Sequence, residues 1–276
     1  MVEPLEPRNP RVVAAAKLHR SAQRRRTGAF LAEGANAVTA ALATGRVREL
    51  FYSAGAAARE HELVAGAAAS GVRTTLVSER AAQHLGETVT APGLVAVCDL
   101  LDVPLRELLA RIARRPGAPR LPPALFAVPV EIAEPGNAGT LIRVADAVGV
   151  DGVVLAGDTV DPHNGKCVRA SAGSLFHVPV ARERDAAAAL DALSAAGVTL
   201  LATTARGELD LDDADPVLAG PVAWLFGNEA HGLAPELAER ADHRVRIPIL
   251  GRAESLNLAA AAAICLYASS RVRHAG

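Results

Sequence analysis

Aromatic side chains are scarce in this chain of 276 residues, where Phe, Trp and Tyr together make up 3% of the sequence. A surface that binds nucleic acid by stacking bases on a platform of rings is therefore not expected. Cysteine is also rare, and Cys98, Cys167 and Cys265 form none of the close pairs that a zinc site or a disulfide scaffold requires. We expect three buried free thiols in a reducing compartment.

An excess of either charge is missing as well. The chain has 29 Lys and Arg residues against 30 Asp and Glu residues. Its net charge of −1 predicts neither nucleic-acid nor membrane binding, so any basic surface must be local. No apolar run approaches the roughly 20 residues that span a bilayer, and residues 1–10 lack the apolar segment of a signal peptide. These absences predict a cytoplasmic protein.

The basic residues are unevenly distributed. Residues 8–26 contain no acidic residue and seven basic ones, which are Arg8, Arg11, Lys17, Arg20, Arg24, Arg25 and Arg26. Such a block is compatible with a solvated helix face. It is equally compatible with an arm that contacts phosphates, because clustered Arg and Lys displace counterions from nucleic acid.

Alternation of short strands and helices predicts an α/β protein in two parts. The first part, residues 1–115, contains candidate strands at 49–52, 72–77 and 94–97. Four prolines and one glycine in residues 114–123 cannot continue a helix or a central strand, which places a linker at 116–123. The second part, residues 124–276, has mostly continuous apolar strand candidates, at 125–130, 152–157, 199–204, 223–226 and 243–249. Such runs are typical of an open parallel sheet covered by helices on both faces.

Polar residues suited to chemistry come shortly after three of these strand candidates, where ligands bind in open parallel sheets. Asn137 and Arg143 follow the first, Glu229 follows the fourth, and Ser255 and Asn257 follow the fifth. Helical periodicity directs Arg143 about 150° away from the apolar stripe of its helix. Taken singly, each of these residues could be a surface residue, a turn residue or a helix cap. The chain has no GxGxxG fingerprint, which lowers the weight of a nucleotide-dependent oxidoreductase.

Three motifs occur in order: EPGNAGTLIRVADAVG (134–149), LFGNEAHGL (225–233) and IPILGRAESLNLAAAAAICLY (247–267). With them, residues 122–272 resemble the SpoU/TrmH family of RNA 2′-O-ribose methyltransferases, within the SPOUT superfamily. The segment KCVRASAGSLFHVPV (166–180) also fits this family. The first part resembles the substrate-binding domain of the family, most clearly in RRRTGAFLAEGANAV (24–38).

The resemblance implies a trefoil-knotted SPOUT sheet, a homodimer with its site at the interface, and S-adenosylmethionine as the methyl donor. Carried over by position, the catalytic residues are Asn137, Arg143, Glu229, Ser255 and Asn257, and the donor contacts are Thr203, Gly227, Ile247 and Leu256. Arg24, Arg25 and Arg26 are expected to bind RNA phosphates. No metal is expected, because the sulfonium already makes a good leaving group.

The resemblance favours processing of 23S ribosomal RNA, because the first part looks like that of relatives that act on rRNA. Methylation of tRNA is the alternative, and a non-catalytic RNA-binding protein that keeps the fold is another. We expect Arg143 to act as a cation that binds the neighbouring phosphate and stabilises the forming oxyanion, because a guanidinium is almost never deprotonated. Glu229 is predicted to orient that guanidinium.

Overall fold

A computed structural model describes residues 3–88, 91–113 and 122–275; of residues 111–113 and 275 it describes the backbone only. The chain forms two compact units. The first consists of Met1–Leu101 together with Asp161–His177, and the second of Asp102–Val160 together with Val178–Gly276.

The elements that precede the second unit are, in chain order, α1 (Pro10–Ala16), α2 (Ser21–Thr27), β1 (Ala29–Glu33), α3 (Ala35–Ala43), β2 (Val47–Ser53), α4 (Ala54–Arg59), α5 (His61–Ala69), β3 (Arg73–Val77), α6 (Glu79–Leu85) and β4 (Leu94–Asp99). The remaining elements are β5 (Asp102–Val103), α7 (Leu105–Ala113), β6 (Leu125–Pro129), α8 (Pro135–Ala147), β7 (Gly152–Ala156), α9 (Gly165–Ser171), β8 (Val180–Glu183), α10 (Ala186–Ala195), β9 (Thr199–Thr203), β10 (Leu209–Asp210), α11 (Asp215–Leu218), β11 (Val222–Phe226), α12 (Pro235–Ala238), β12 (His243–Arg246) and α13 (Leu258–Ala275).

The first unit contains a four-stranded sheet in the order β1-β4-β2-β3. Only β2 and β3 are parallel in it, and β4 runs antiparallel to both of its neighbours. Its core joins Val12 and Leu18 from the amino-terminal segment to Phe51 and Leu85. Ser78 is the N-cap of α6, since its hydroxyl accepts the Ala81 N–H at 3.2 Å.

Residues between β7 and β8 complete the first unit. Asp161 accepts two hydrogen bonds from the buried Arg24 guanidinium, at 2.9 and 2.7 Å. The Phe30 ring lies 4.7 Å from the His163 ring and 5.8 Å from the Phe176 ring, measured between centroids. Aromatic packing and a charge-assisted pair therefore hold Asp161–His177 within this unit.

The second unit confirms the predicted α/β class with a parallel sheet of eight strands, in the order β10-β12-β9-β11-β6-β7-β8-β5. Strands β6, β7 and β11 are buried along their whole length, which explains their continuous apolar sequences. On one face, Phe126 and Leu225 pack in a core with Leu190 and Leu193 of α10. On the other, the buried Trp224 Nε1–H donates to Ser269 Oγ of α13 at 2.7 Å.

The division of the chain differs from the predicted boundary after residue 115. Strand β5 pairs with β8, and Leu108 of α7 is buried in the core of the second unit, so that unit begins at Asp102. The predicted linker at 116–123 lies outside the described residues except for Pro122 and Pro123.

The cysteines and the helices bear on two predictions made from the composition. All three cysteines are buried free thiols, as predicted, and burial raises the pKa of the Cys167 thiol to about 12. Within the described ranges, none of the helices combines the length and apolarity needed to span a bilayer.

Candidate active site

The strand order of the second unit brings four loops together. Strands β12, β9, β11 and β6 are neighbours and all run parallel, so the loops after them emerge at one edge of the sheet. The loops after β9, β11 and β12, together with the first turns of α8 and α13, surround a cleft of about 680 Å³. Its size and position are typical of a small-molecule site.

Eight of the nine predicted catalytic and donor-contacting residues line this cleft. They are Asn137, Thr203, Gly227, Glu229, Ile247, Ser255, Leu256 and Asn257. The ninth, Arg143, does not line it.

Glu229 is held against the amino-terminal end of α8. Its carboxylate accepts the side-chain amide of Asn137 at 3.0 Å and the N–H groups of Ala133 and Glu134 at 3.4 Å each. Partial burial raises the pKa of Glu229, but these hydrogen bonds, that of Asn137 foremost, outweigh it and leave the pKa below its usual value. The side chain is therefore a carboxylate that orders the loop before α8.

Asn137 and Asn257 connect two helix starts. The side-chain amide of Asn257 donates to the Asn137 oxygen at 3.3 Å. The Asn257 oxygen accepts the N–H groups of Ala259 at 2.9 Å and Ala260 at 3.4 Å, so Asn257 caps α13. Ser255, in contrast, is exposed at the cleft and has no hydrogen-bond partner among the described residues.

A tight turn after β11 forms one wall of the cleft. Asn228 and Gly232 exchange backbone hydrogen bonds at 2.9 and 2.8 Å. A Cβ atom on Gly227 would lie 2.2 Å from the Leu233 nitrogen, so only glycine fits at that position. The turn thus brings main-chain groups directly to the cleft.

The rest of the cleft lining combines apolar and polar groups. Leu256 and Ile249 line it and remain more than a third exposed. Thr203 is fixed by its hydroxyl, which donates to the Leu225 carbonyl at 2.8 Å. Apolar side chains with a few fixed polar groups are typical of a small-molecule site.

Arg143 lies on the exposed face of α8, as its periodicity predicts, while Leu141 and Ala145 are buried. Its guanidinium forms no hydrogen bond or ion pair with any described residue. The prediction that Glu229 orients Arg143 is wrong for a single chain, because the Glu229 carboxylate is occupied by Asn137 and the loop before α8.

The basic block of the first unit divides into buried and exposed arginines. The Arg24 side chain is 4% exposed, and besides Asp161 it binds the carbonyls of Leu18 and His19 at 3.0 and 2.8 Å. The structure therefore places Arg24 inside the unit rather than at the predicted RNA contact, since its guanidinium makes four hydrogen bonds there. Arg25 and Arg26 are exposed on α2.

Sequence reasoning missed Asn228, which lines the cleft beside Glu229. Its amide donates to the Glu131 carbonyl at 2.8 Å, and its oxygen accepts the Ala230 N–H at 2.8 Å. The available signal was its position between Gly227 and Glu229 in the second motif. Among the described residues, no group of three or more His, Cys, Asp or Glu side chains could hold a metal ion.

Comparisons with known proteins agree on both parts of the chain. Residues 124–267 match the model of the SpoU rRNA Methylase family. Residues 9–96 match the model of the MRM3-like substrate binding domain.

Relatives cover almost the whole chain. The 23S rRNA (guanosine(2553)-2′-O)-methyltransferase RlmP of Bacillus subtilis is 34% identical over 94% of this chain and 96% of its own. The 23S rRNA (uridine(2479)-2′-O)-methyltransferase of Streptomyces viridochromogenes is 35% identical over 92% of this chain and 86% of its own. The crystal structure of an AdoMet-bound rRNA methyltransferase from Sinorhizobium meliloti superposes with a TM-score of 0.81 at 33% identity, covering 95% of each chain.

Proposed function

The chain belongs to the SpoU rRNA methylase family, and from this premise we propose that it methylates a ribose 2′-hydroxyl of 23S rRNA with S-adenosylmethionine as donor. The observation that carries the proposal is the convergence of Asn137, Glu229 and Asn257, from three separate motifs, on one cleft. The names of the two relatives support 23S rRNA over tRNA. Work on ribosomal RNA would take place in the cytoplasm.

The cleft fits the proposed donor in size and chemistry. Its apolar wall at Leu256 and Ile249 suits an adenine base, and the turn at Gly227 lets main-chain groups approach a ligand closely. When bound, S-adenosylmethionine supplies a methyl group on a sulfonium. Thr203 and Ile247 complete the proposed donor contacts. The family resemblance implies that these residues belong to a trefoil-knotted part of the chain.

The side chains at the cleft would orient the acceptor ribose. Ser255 is exposed there and its hydroxyl bonds to none of the described residues, so it is available to the substrate. Asn137 and Asn257 are tied together and are held in turn by Glu229 and the start of α13, which preorganises their amides. Arg143 would bind the adjacent phosphate and stabilise the oxyanion that forms as the 2′-hydroxyl loses its proton.

In a homodimer, the second chain would supply an arginine to a cleft whose lining, among the described residues of one chain, contains no Arg or Lys. Arg143 lies on the exposed face of α8, and α13, which packs against α8, exposes Ile264 (41%) and Tyr267 (66%). Apolar side chains in such a position favour burial against a second copy. In this arrangement Arg143 of each chain would serve the cleft of the other.

The proposed RNA contacts in the first unit are Arg25 and Arg26. Both are exposed on α2, and aromatic rings are scarce, so phosphate binding and RNA shape would dominate recognition.

Methyl incorporation from labelled donor tests the proposal. Unmodified 23S rRNA should be methylated at one ribose and bulk tRNA should not; the reverse result would support the tRNA alternative. Arg143→Lys should lose most turnover yet bind the donor in calorimetry, since an ammonium does not reproduce the planar fork. Arg184→Lys, an exposed arginine away from the cleft, is the matched control. Absence of donor binding by the wild-type chain would favour a non-catalytic RNA-binding protein.

A further inference from the structure

Asn228 uses the two ends of its side-chain amide for different purposes. The oxygen accepts the Ala230 N–H at 2.8 Å and so supports the turn to which Asn228 itself belongs. The nitrogen donates at 2.8 Å to the carbonyl of Glu131, which lies in the loop between β6 and α8. The second bond joins two loops that are 97 positions apart in the sequence.

Glu131 has an unusual backbone conformation. Its φ of +53° lies in the left-handed region, which residues other than glycine seldom adopt. Such a conformation persists only where the surroundings enforce it. The Glu131 N–H is already bonded to the Ala156 carbonyl at 2.9 Å, so the Asn228 amide fixes the other end of this residue.

Glu229, the next residue, binds the same loop from its other end. It accepts the N–H groups of Ala133 and Glu134, while Asn228 donates to the carbonyl of Glu131. Two consecutive residues of the turn after β11 therefore hold both ends of residues 131–134. This loop leads directly into α8, the helix that carries Asn137 and Arg143.

We propose that Asn228 is a positioning residue: its amide N–H fixes the loop 131–134 and thereby sets the place of Asn137 at the cleft. The effect on catalysis rests on the proposed function, but the effect on the loop does not. Replacement by aspartate separates the two roles of Asn228, because a carboxylate still accepts the Ala230 N–H but cannot donate to the Glu131 carbonyl.

Hydrogen exchange measures the loop without any assay of activity. In Asn228→Asp and in Asn228→Ala, amides of segment 131–137 should exchange about 3- to 10-fold faster than in the wild type, as expected for the loss of one hydrogen bond. In Asn228→Asp, segment 227–233 should keep its protection. Asn164→Asp is the matched control, because Asn164 caps α9 with its oxygen only and aspartate caps equally well. Unchanged exchange at 131–137 in both variants, or an equal rise at 227–233 in Asn228→Asp, would overturn the proposal.

Kinetics then test the catalytic consequence. For Asn228→Asp we expect kcat to fall about 10- to 100-fold, with the KM for RNA and the donor Kd changed by less than about 3-fold. In an Asn137→Ala background the same substitution should have little further effect, because both act through one group. Additive losses in that cycle would overturn the role in positioning Asn137. A wild-type chain that methylates no RNA would refute the proposed function, while the exchange result would still decide what Asn228 does.

Discussion

Replacing Arg24 with alanine should destabilise the first unit far more than replacing its neighbour Arg25. Arg24 is buried and makes four hydrogen bonds, two to Asp161 and two to main-chain carbonyls, whereas Arg25 is exposed. Alanine would remove the guanidinium that binds the Asp161 carboxylate, which is 17% exposed, and leave it with its contacts to His163.

The expected loss in the free energy of unfolding follows from removing the guanidinium partner of this carboxylate. Removing one partner of a buried ion pair costs about 3–5 kcal/mol, whereas an exposed substitution changes stability by less than about 0.5 kcal/mol. For a unit of this size, Arg24→Ala should lower the Tm by roughly 10–20 °C. The free energy of unfolding and the Tm of both variants would be measured by urea and thermal unfolding of the full chain, with a spectroscopic probe in the first unit.

A double-mutant cycle identifies the cause. If the destabilisation comes from the Asp161 carboxylate losing its guanidinium partner, the double variant Arg24→Ala with Asp161→Ala should be about 2–3 kcal/mol more stable than the sum of the two single changes predicts. Equal stability of Arg24→Ala and Arg25→Ala would refute the reasoning. Arg24 would then again be a candidate for binding RNA phosphates.

Three further outcomes are expected. Gly227→Ala should abolish donor binding in calorimetry, because its Cβ would collide with the Leu233 nitrogen, and unchanged affinity would contradict the close-approach argument. Arg25→Ala with Arg26→Ala should lower the slope of log K against log salt for RNA binding by about 1.5, and an unchanged slope would exclude phosphate contacts there. Burial raises the pKa of Asp161, but hydrogen bonds from His163 and Arg24 outweigh it and hold the pKa well below its usual value. Its stabilising contribution should therefore be complete above about pH 5 and decline progressively below it, so the deficit of Arg24→Ala in the free energy of unfolding should shrink in acid.

Local patterns predicted the parts of the fold that depend on neighbouring residues. The 3.6-residue period predicted that Arg143 points away from the apolar stripe of its helix, and in the structure Arg143 is exposed while Leu141 and Ala145 are buried. Strands β1, β5, β8 and β10 were missed. Strand β1 has five residues shortly after the run of arginines, β8 has four that end in charged residues, and β5 and β10 have two residues each, so none shows a clear strand pattern.

Contacts between distant residues account for the wrong predictions. Nothing local separates Arg24 from Arg25, because the burial of Arg24 depends on a carboxylate 137 positions away. The cleft could be predicted from the rule that parallel strands present their carboxyl ends together. The bond between Asn137 and Asn257, 120 positions apart, and the engagement of Glu229 with the start of α8 required the folded chain.

The way Asp161–His177 completes the first unit restricts how modules of this kind can be recombined. A chimera joined at residues 114–123 would confront the Phe30 and Arg24 of one parent with the His163, Phe176 and Asp161 of the other. Swapping substrate recognition between relatives therefore requires transplanting two separate stretches of sequence. Across evolution, mutations in those stretches should have been accepted as matched sets.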